Sequence, residues 1–249
     1  MGATDVTVRL IQRSSNPDEP RLGRATQITV KEFSDSAWVG HPDPSVDVAV
    51  MSLSVVLQAM TSRGEPPFYR SVAPEFCLGV GAAIETDAIE EVTFIGYPNG
   101  LYDTVNYLPI ARRGSTATPI EVDYQGAPAF LIDASVFPGS SGSPVFILDR
   151  GMYTDRMGNT TLGNRMACVG VLAAVHTRSV EGAVANVATR LVASFDEPID
   201  LGIVYKSICF DECVQIMLDK AGLDRMPSRS LLRKGQEVSS ADETVEEAN

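Results

Sequence analysis

The chain has 249 residues, of which 44% are hydrophobic, enough for one large domain or two small domains that share an interface. Its 20 basic and 32 acidic residues give a net charge of −12. This charge argues against a nucleic-acid-binding surface, because phosphate neutralisation needs concentrated Lys and Arg. Without an apolar run of membrane-spanning length or a signal peptide, we expect no membrane partner and a reduced, cytoplasmic setting.

The cysteines are Cys77, Cys168, Cys209 and Cys213, and the spacing of none of them is Cys-x-x-Cys. The chain has only 2 histidines, so few further ligands are available for a metal site built on these cysteines. Cys209 and Cys213 lie on one face of a predicted helix. We therefore expect these two small side chains to pack inward, with no disulfide, no metal and no cofactor.

Hydrophobic alternation and β-branched residues predict many short strands separated by Gly, Pro and Asn breakers. A helical turn is predicted at Leu53–Met60, a long hairpin loop at 156–164 and a closing helix at Ser207–Ala221. The pattern favours an all-β barrel or paired-barrel architecture. The predicted strands are Asp5–Ile11, Ala25–Phe33, Asp47–Leu53, Glu91–Ile95, Thr104–Ile110, Pro128–Asp133, Ser143–Leu148, Cys168–Val175 and Leu201–Tyr205.

A glycine-flanked serine in the segment "VFPGSSGSPVF" is a candidate nucleophile. Its centre has the form Gly-x-Ser-Gly-x-Pro, with Ser141 as the serine. Glycine permits the strained backbone of a tight turn and a close approach by a carbonyl substrate. The N–H groups of Gly139 and Ser141 could then bind a developing oxyanion. By itself, the motif is also compatible with an ordinary Ser/Gly-rich turn.

Asp47 is a candidate partner, because it begins the apolar segment "DVAVMSL", where a carboxylate is costly without a partner. Such an acid can orient a catalytic imidazole and stabilise its charged form. In a strand, successive side chains point to opposite faces, so Asp47, Ala49 and Met51 would share one face and Val48 and Val50 the other. We expect the Asp47 carboxylate to face a cleft near Ser141 and not solvent.

Five segments together resemble the trypsin-like (chymotrypsin-fold) serine peptidases, of the bacterial, disulfide-free kind. They are "HPDPSVDVAVMSL", "TFIGYPNGLYDTVNYLPIARRGSTAT", "FLIDASVFPGSSGSPVF", "CVGVLAAVHT" and "DLGIVYKSI". The resemblance implies a double β-barrel with an incomplete first barrel over residues 1–85 and a second barrel and closing helix over 86–221. It also implies that Ser141 is the nucleophile, that Asp47 is the acid, and that Gly139 and Ser141 form the oxyanion hole. Separately, the basic residues between Arg225 and Lys234, followed by the acidic stretch from Glu237 to Glu247, predict a disordered tail over 222–249.

The general base of that family has no counterpart in the sequence. "GATDVTVRL" resembles what normally follows the catalytic histidine, so we expect the base upstream of Met1; a genuinely inactive relative is the alternative. His41 lies in a Pro-flanked turn, and we interpret it as structural. His176 ends a strand and is interpreted as a surface residue or a substrate contact. The chain alone is predicted to be nearly inactive, and its open barrel edge to permit oligomers.

The resemblance also places a primary substrate pocket around Ser135, six residues before the nucleophile. A neutral hydroxyl there disfavours a basic side chain, although Asp133 could restore negative charge. The remaining pocket candidates are Ala173, Ala174 and His176, and the small alanines favour an apolar or aromatic side chain. Two functions follow: a serine endopeptidase acting on a protein or peptide substrate, or a non-catalytic protease-like peptide-binding module.

Overall fold

The computed structural model describes residues 5–31, 37–82, 84–98, 102–137, 139–186 and 189–224, with the backbone alone described from 174 to 199. The predicted tail lies outside these residues from position 225 onward. The helices are α1 (Ser54–Ser62), a short 3₁₀ helix (Pro74–Phe76) and α2 (Ser207–Ala221). The strands are β1 (Val6–Arg13), β2 (Pro20–Val30), β3 (Trp38–Gly40), β4 (Ala49–Met51), β5 (Glu91–Gly96), β6 (Ile110–Thr116), β7 (Ala129–Asp133), β8 (Pro144–Asp149), β9 (Met152–Thr154), β10 (Thr160–Leu162), β11 (Arg165–Asn186) and β12 (Thr189–Lys206).

Six of the strands close into an antiparallel barrel in the order β5–β6–β7–β12–β11–β8. Alternate residues of each strand point inward, as the two-residue period of a strand requires. On β5 these are Val92 and Phe94, and on β8 they are Val145 and Ile147, all fully buried. They form one core with Phe130 and the inward residues of the other strands. The all-β prediction and the closing helix at Ser207–Ala221 are confirmed.

The described residues before β5 form two separate hairpins, β1–β2 and β3–β4, and no closed barrel. Helix α1 packs on the first hairpin by burying Val56 and Met60 against Ile28. Neither described α-helix is long and apolar enough to cross a membrane.

Helix α2 attaches the β3–β4 hairpin to the barrel. Cys209 and Cys213 pack into a cluster with Val39, Val46 and Val48. All four cysteines are buried, which confirms the predicted inward packing of Cys209 and Cys213. Burial first, and then the negative charge of nearby Glu212, raises the pKa of the Cys209 thiol from 9.0 to about 11.

Arg165, at the start of β11, forms a buried ion-pair network. Its guanidinium donates to both carboxylate oxygens of Glu90, at 3.0 and 2.6 Å, and to Asp149 at 2.6 Å. Another N–H of the same group reaches the Glu85 carbonyl at 3.0 Å. The side chains of Arg165 and Glu90 are only 10% and 7% exposed. One cation therefore joins the residue before β5 to the end of β8 and the start of β11.

Several predicted boundaries were wrong. The prediction of a strand at Thr104–Ile110 fails because the Asp103 carboxylate accepts the N–H groups of Val105 and Asn106, which holds a turn there. Strand β6 begins only at Ile110. The predicted strands Cys168–Val175 and Leu201–Tyr205 are parts of the longer β11 and β12. The predicted loop at 156–164 contains β10, and β3 and β9 were missed.

Removal of the Arg165 guanidinium is expected to lower the free energy of unfolding by about 3–5 kcal/mol, because Glu90 would remain buried without its counter-ion. Chemical denaturation of Arg165→Ala measures this. The matched control is Arg70→Ala, which breaks a pair with Asp18 whose side chains are 64% and 78% exposed. That control should change stability little. Equal effects of the two substitutions would contradict the role of the network.

The raised pKa of Cys209 predicts a loss of stability in alkali. A group with a raised pKa in the folded state stabilises fully below its unfolded pKa, and this contribution is lost as pH rises toward the folded value. The free energy of unfolding should therefore fall between pH 9.0 and about 11. Cys209→Ala should remove up to about 1.4 kcal/mol of that fall per pH unit. Denaturation curves that keep the same slope against pH in this variant would contradict the prediction.

Candidate active site

Ser141 lies on a tight turn between β7 and β8. Gly139 and Gly142 both have φ of +86°, a left-handed backbone that L side chains adopt only with strain. The Gly142 N–H donates to the Leu172 carbonyl at 2.7 Å, and the Leu172 N–H donates to the Ser143 carbonyl at 2.9 Å. These two bonds pin the turn against β11.

Of the three serines in this turn, Ser141 is the exposed one. Ser140 is 2% and Ser143 5% exposed. Ser143 packs against Gly96 at the end of β5, where an added Cβ would lie 1.9 Å from the Ser143 hydroxyl oxygen. The turn therefore presents one serine to solvent and uses another as an anchor.

The backbone around Ser141 leaves donors available. The Ser140 N–H is bonded to the Phe137 carbonyl at 3.1 Å, whereas the N–H groups of Gly139 and Ser141 have no acceptor among the described residues. The Ser140 hydroxyl is buried and also has no hydrogen-bond partner in the described part of the chain. Unpaired N–H groups beside an exposed hydroxyl are what an oxyanion-binding site needs.

The Ser141 hydroxyl donates to the backbone carbonyl of Ala173 at 2.6 Å. A peptide carbonyl accepts this hydrogen bond but is far too weak a base to remove the proton. In this arrangement Ser141 is held in place and is not activated. A nucleophilic role requires a separate base to displace this contact.

Asp47 does not have the surroundings that were expected. It is exposed, so the expectation that its carboxylate faces away from solvent is wrong. Asp47 lies before β4, at the centre of a tight turn in which the Val48 N–H donates to the Val46 carbonyl at 2.9 Å. Val46 and Val48 are buried in the cluster under α2, and this turn leaves Asp47 between them exposed. Its role as the catalytic acid stays a prediction.

His41 is a structural turn residue, as predicted. Its Nδ1 accepts the Asp43 N–H at 3.1 Å, and its Nε2 lies 3.0 Å from the Glu212 carboxylate on α2. The imidazole is 8% exposed. Both ring nitrogens are therefore occupied at the junction between the β3–β4 hairpin and α2. The side chain of His176 lies outside the described residues.

The predicted substrate-pocket residues are only partly brought together. Ala173 contacts Ser141 through its carbonyl. Asp133 ends β7, where it pairs with Ser115 and Leu201, and both Asp133 and Ser135 are exposed. The side chains of Ala174 and His176 are outside the described part of the chain. The pocket assignment stays a prediction.

Sequence reasoning missed a cluster of tyrosines. Tyr97, Tyr102 and Tyr107 come from the segment between β5 and β6 and contact one another. Their regular spacing, every fifth residue among turn-forming residues, was the available signal. Among the described residues, no group of three or more His, Cys, Asp or Glu side chains is arranged to hold a metal ion.

Comparison with known proteins gives no match among protein-family models, curated proteins or solved structures.

The left-handed backbone at Gly142 predicts a cost for any side chain. Gly142→Ala should lower the free energy of unfolding by about 1–2 kcal/mol, because nothing but the φ angle opposes the new Cβ. Gly158→Ala is the matched control, since Gly158 has φ of +81°, equally open surroundings and a position in the distant β9–β10 hairpin. Denaturant titration should give similar losses for both. An unchanged stability of Gly142→Ala would mean that the turn relaxes freely.

Proposed function

We propose that this chain is a serine-type endopeptidase of the trypsin-like class, with Ser141 as nucleophile and a protein or peptide as substrate. In this proposal the closed barrel is the second of two barrels, and the hairpins before it are an incomplete first barrel. The observation that carries the proposal is the turn itself: an exposed serine between two glycines with φ of +86°.

The proposed chemistry is acyl transfer. The Ser141 hydroxyl oxygen attacks the carbonyl carbon of the scissile peptide bond, and a general base takes the hydroxyl proton. The N–H groups of Gly139 and Ser141 stabilise the negative oxygen of the tetrahedral intermediate. The base then returns the proton to the leaving amine, and water hydrolyses the acyl-enzyme by the reverse sequence.

The general base is the open element of this proposal. His41 has both ring nitrogens engaged by Asp43 and Glu212, so the proposal needs a histidine other than His41 as the base. Without it, turnover falls to the residual enhancement of roughly 10³–10⁴ over water that binding and an oxyanion hole provide. Asp47 keeps its proposed role as the acid only if that histidine reaches both Asp47 and Ser141.

The second candidate is a non-catalytic, protease-like module that binds peptides. The hydrogen bond from Ser141 to the Ala173 carbonyl favours it, because that bond leaves the hydroxyl without a basic partner. Both candidates use the same surface and differ in whether Ser141 can be activated.

A fluorophosphonate probe separates the two candidates. The chain is compared with a longer chain that includes the segment encoded in frame upstream of Met1. If that segment carries the base, Ser141 should be labelled at least about 10²-fold faster in the longer chain. Ser141→Ala should abolish labelling, and Ser71→Ala, which removes another exposed serine, should leave it intact.

Two results would contradict the enzyme. One is an upstream stop codon that leaves no histidine-bearing segment, together with no labelling of the chain. The other is labelling that survives Ser141→Ala and disappears in Ser140→Ala or Ser143→Ala. Peptide binding without labelling would support the non-catalytic module.

A further inference from the structure

An aromatic pocket lies between the β1–β2 hairpin and the segment that joins β5 to β6. Its volume is about 220 Å³. A cavity of roughly 150 Å³ is already enough to hold benzene. The pocket thus has room for one aromatic ring. It is lined by Arg9, Ile11 and Ala25 from the hairpin and by Tyr97, Tyr102 and Tyr107 from the connecting segment.

The three tyrosines are held in fixed relative positions. The rings of Tyr97 and Tyr102 meet edge to face, with centroids 5.8 Å apart, and those of Tyr102 and Tyr107 are stacked at 6.4 Å. The Tyr97 hydroxyl donates to the Tyr107 carbonyl at 3.3 Å. Burial raises the pKa of the Tyr97 phenol, which keeps this donor protonated. Both ring geometries are those that aromatic pairs prefer.

The backbone of the segment is braced around Tyr107, which has a positive φ of 61°. This conformation is strained for a residue other than glycine, and such strain persists only where the surroundings enforce it. Here Asp103 enforces it: its carbonyl accepts the Tyr107 N–H at 2.6 Å, and its carboxylate accepts the N–H groups of Val105 and Asn106. The Asn106 N–H and then its side-chain amide lower the pKa of the Asp103 carboxyl, so this brace stays charged near neutral pH.

Arg9 gives the pocket a positive rim. Its guanidinium donates to the Tyr102 hydroxyl at 3.0 Å and to Gln27 at 2.9 Å, and it lies 5.8 Å from the centre of the Tyr107 ring. No carboxylate of the described residues pairs with it. Its charge repels Lys and Arg side chains, while the rings and Ile11 favour an aromatic one.

The pocket lies close to the serine turn. Tyr97 follows Gly96, and Gly96 contacts Ser143, which is two residues from Ser141. Consecutive Cα atoms are about 3.8 Å apart, so these steps place the Cα of Tyr97 within roughly 17 Å of the Cα of Ser141. An extended peptide of about five residues spans that distance and reaches the edge of the pocket at Tyr97.

We propose that this pocket binds an aromatic side chain of a peptide, within about five residues of the bond presented to Ser141. The location of that bond rests on the proposed function, whereas the pocket itself does not. The site selects rings over basic side chains and so contributes specificity beyond the immediate surroundings of the serine.

The first test is binding, because it needs no catalysis. The chain, with ¹³C in its tyrosine rings, is titrated with N-acetyl-phenylalaninamide, N-acetyl-alaninamide and N-acetyl-lysinamide. The phenylalanine probe should shift the ring signals of Tyr97, Tyr102 and Tyr107 and leave exposed Tyr69 unchanged. The alanine and lysine probes should bind at least several-fold more weakly. Equal shifts at all tyrosines, or equal binding of the lysine probe, would overturn the proposal.

Two variants locate the site. Tyr102→Ala should weaken binding of the phenylalanine probe about 2- to 10-fold, while Tyr69→Ala should not. Ala25→Phe fills the pocket with a larger side chain and should block the probe without opening a cavity. This variant therefore still tests the site if Tyr102→Ala fails to fold. Unchanged binding in Ala25→Phe, with far-ultraviolet circular dichroism like that of the parent, would overturn the assignment.

The second test connects the pocket to the serine. In the longer chain of the labelling experiment, peptides with Phe within five residues of the cleaved bond should be hydrolysed faster than their Ala counterparts. Ala25→Phe should remove that preference. Selective phenylalanine binding without labelling at Ser141 would support the pocket and contradict the enzyme. Labelling without selective binding would contradict the pocket alone.

Discussion

The guanidinium of Arg165 holds the barrel in register. It bonds to Glu90 immediately before β5, to Asp149 at the end of β8, and itself begins β11. These three strands are neighbours in the barrel. Because a buried carboxylate without a counter-ion costs several kcal/mol, a shift of any one strand past the others would be strongly penalised. Hydrophobic packing is non-directional, so by itself it would penalise a shift in strand register less than this ion-pair network does.

That register reaches the candidate site at the opposite end of β8. From the pair Arg165–Asp149, the two strands run to Val171 opposite Pro144, with one irregularity between Cys168 and Gly170. The next residues on β11 bond the serine turn: Leu172 to Gly142 and Ser143, and Ala173 to the Ser141 hydroxyl. A one-residue slip would reverse which side chains face the core. The ion network thus fixes where the backbone of β11 meets Ser141.

The parts before the barrel are attached through different physical contacts. Helix α2 joins the β3–β4 hairpin through buried valines and cysteines, through His41 and Glu212, and through the Tyr205 hydroxyl on the Ser45 carbonyl. The β1–β2 hairpin meets the barrel side through Arg9 and the tyrosine cluster. The first attachment is largely apolar and closed. The second leaves a pocket, because bulky rings braced by their own backbone do not collapse onto small Ala25.

The sequence by itself determined the closing helix and, at least in part, every barrel strand except β6, because hydrophobic alternation is a local signal. The choice of Ser141 as the nucleophile stays a prediction. The sequence predicted Ser207–Ala221 to the residue and most strand positions closely. It misjudged Thr104–Ile110, where the carboxylate of Asp103 outweighs strand propensity. Tertiary structure alone decided that Asp47 is exposed, that His41 is engaged by Glu212, and that three tyrosines meet Arg9. Those outcomes depend on which elements pack together across long stretches of chain, and no local pattern of residues encodes that packing.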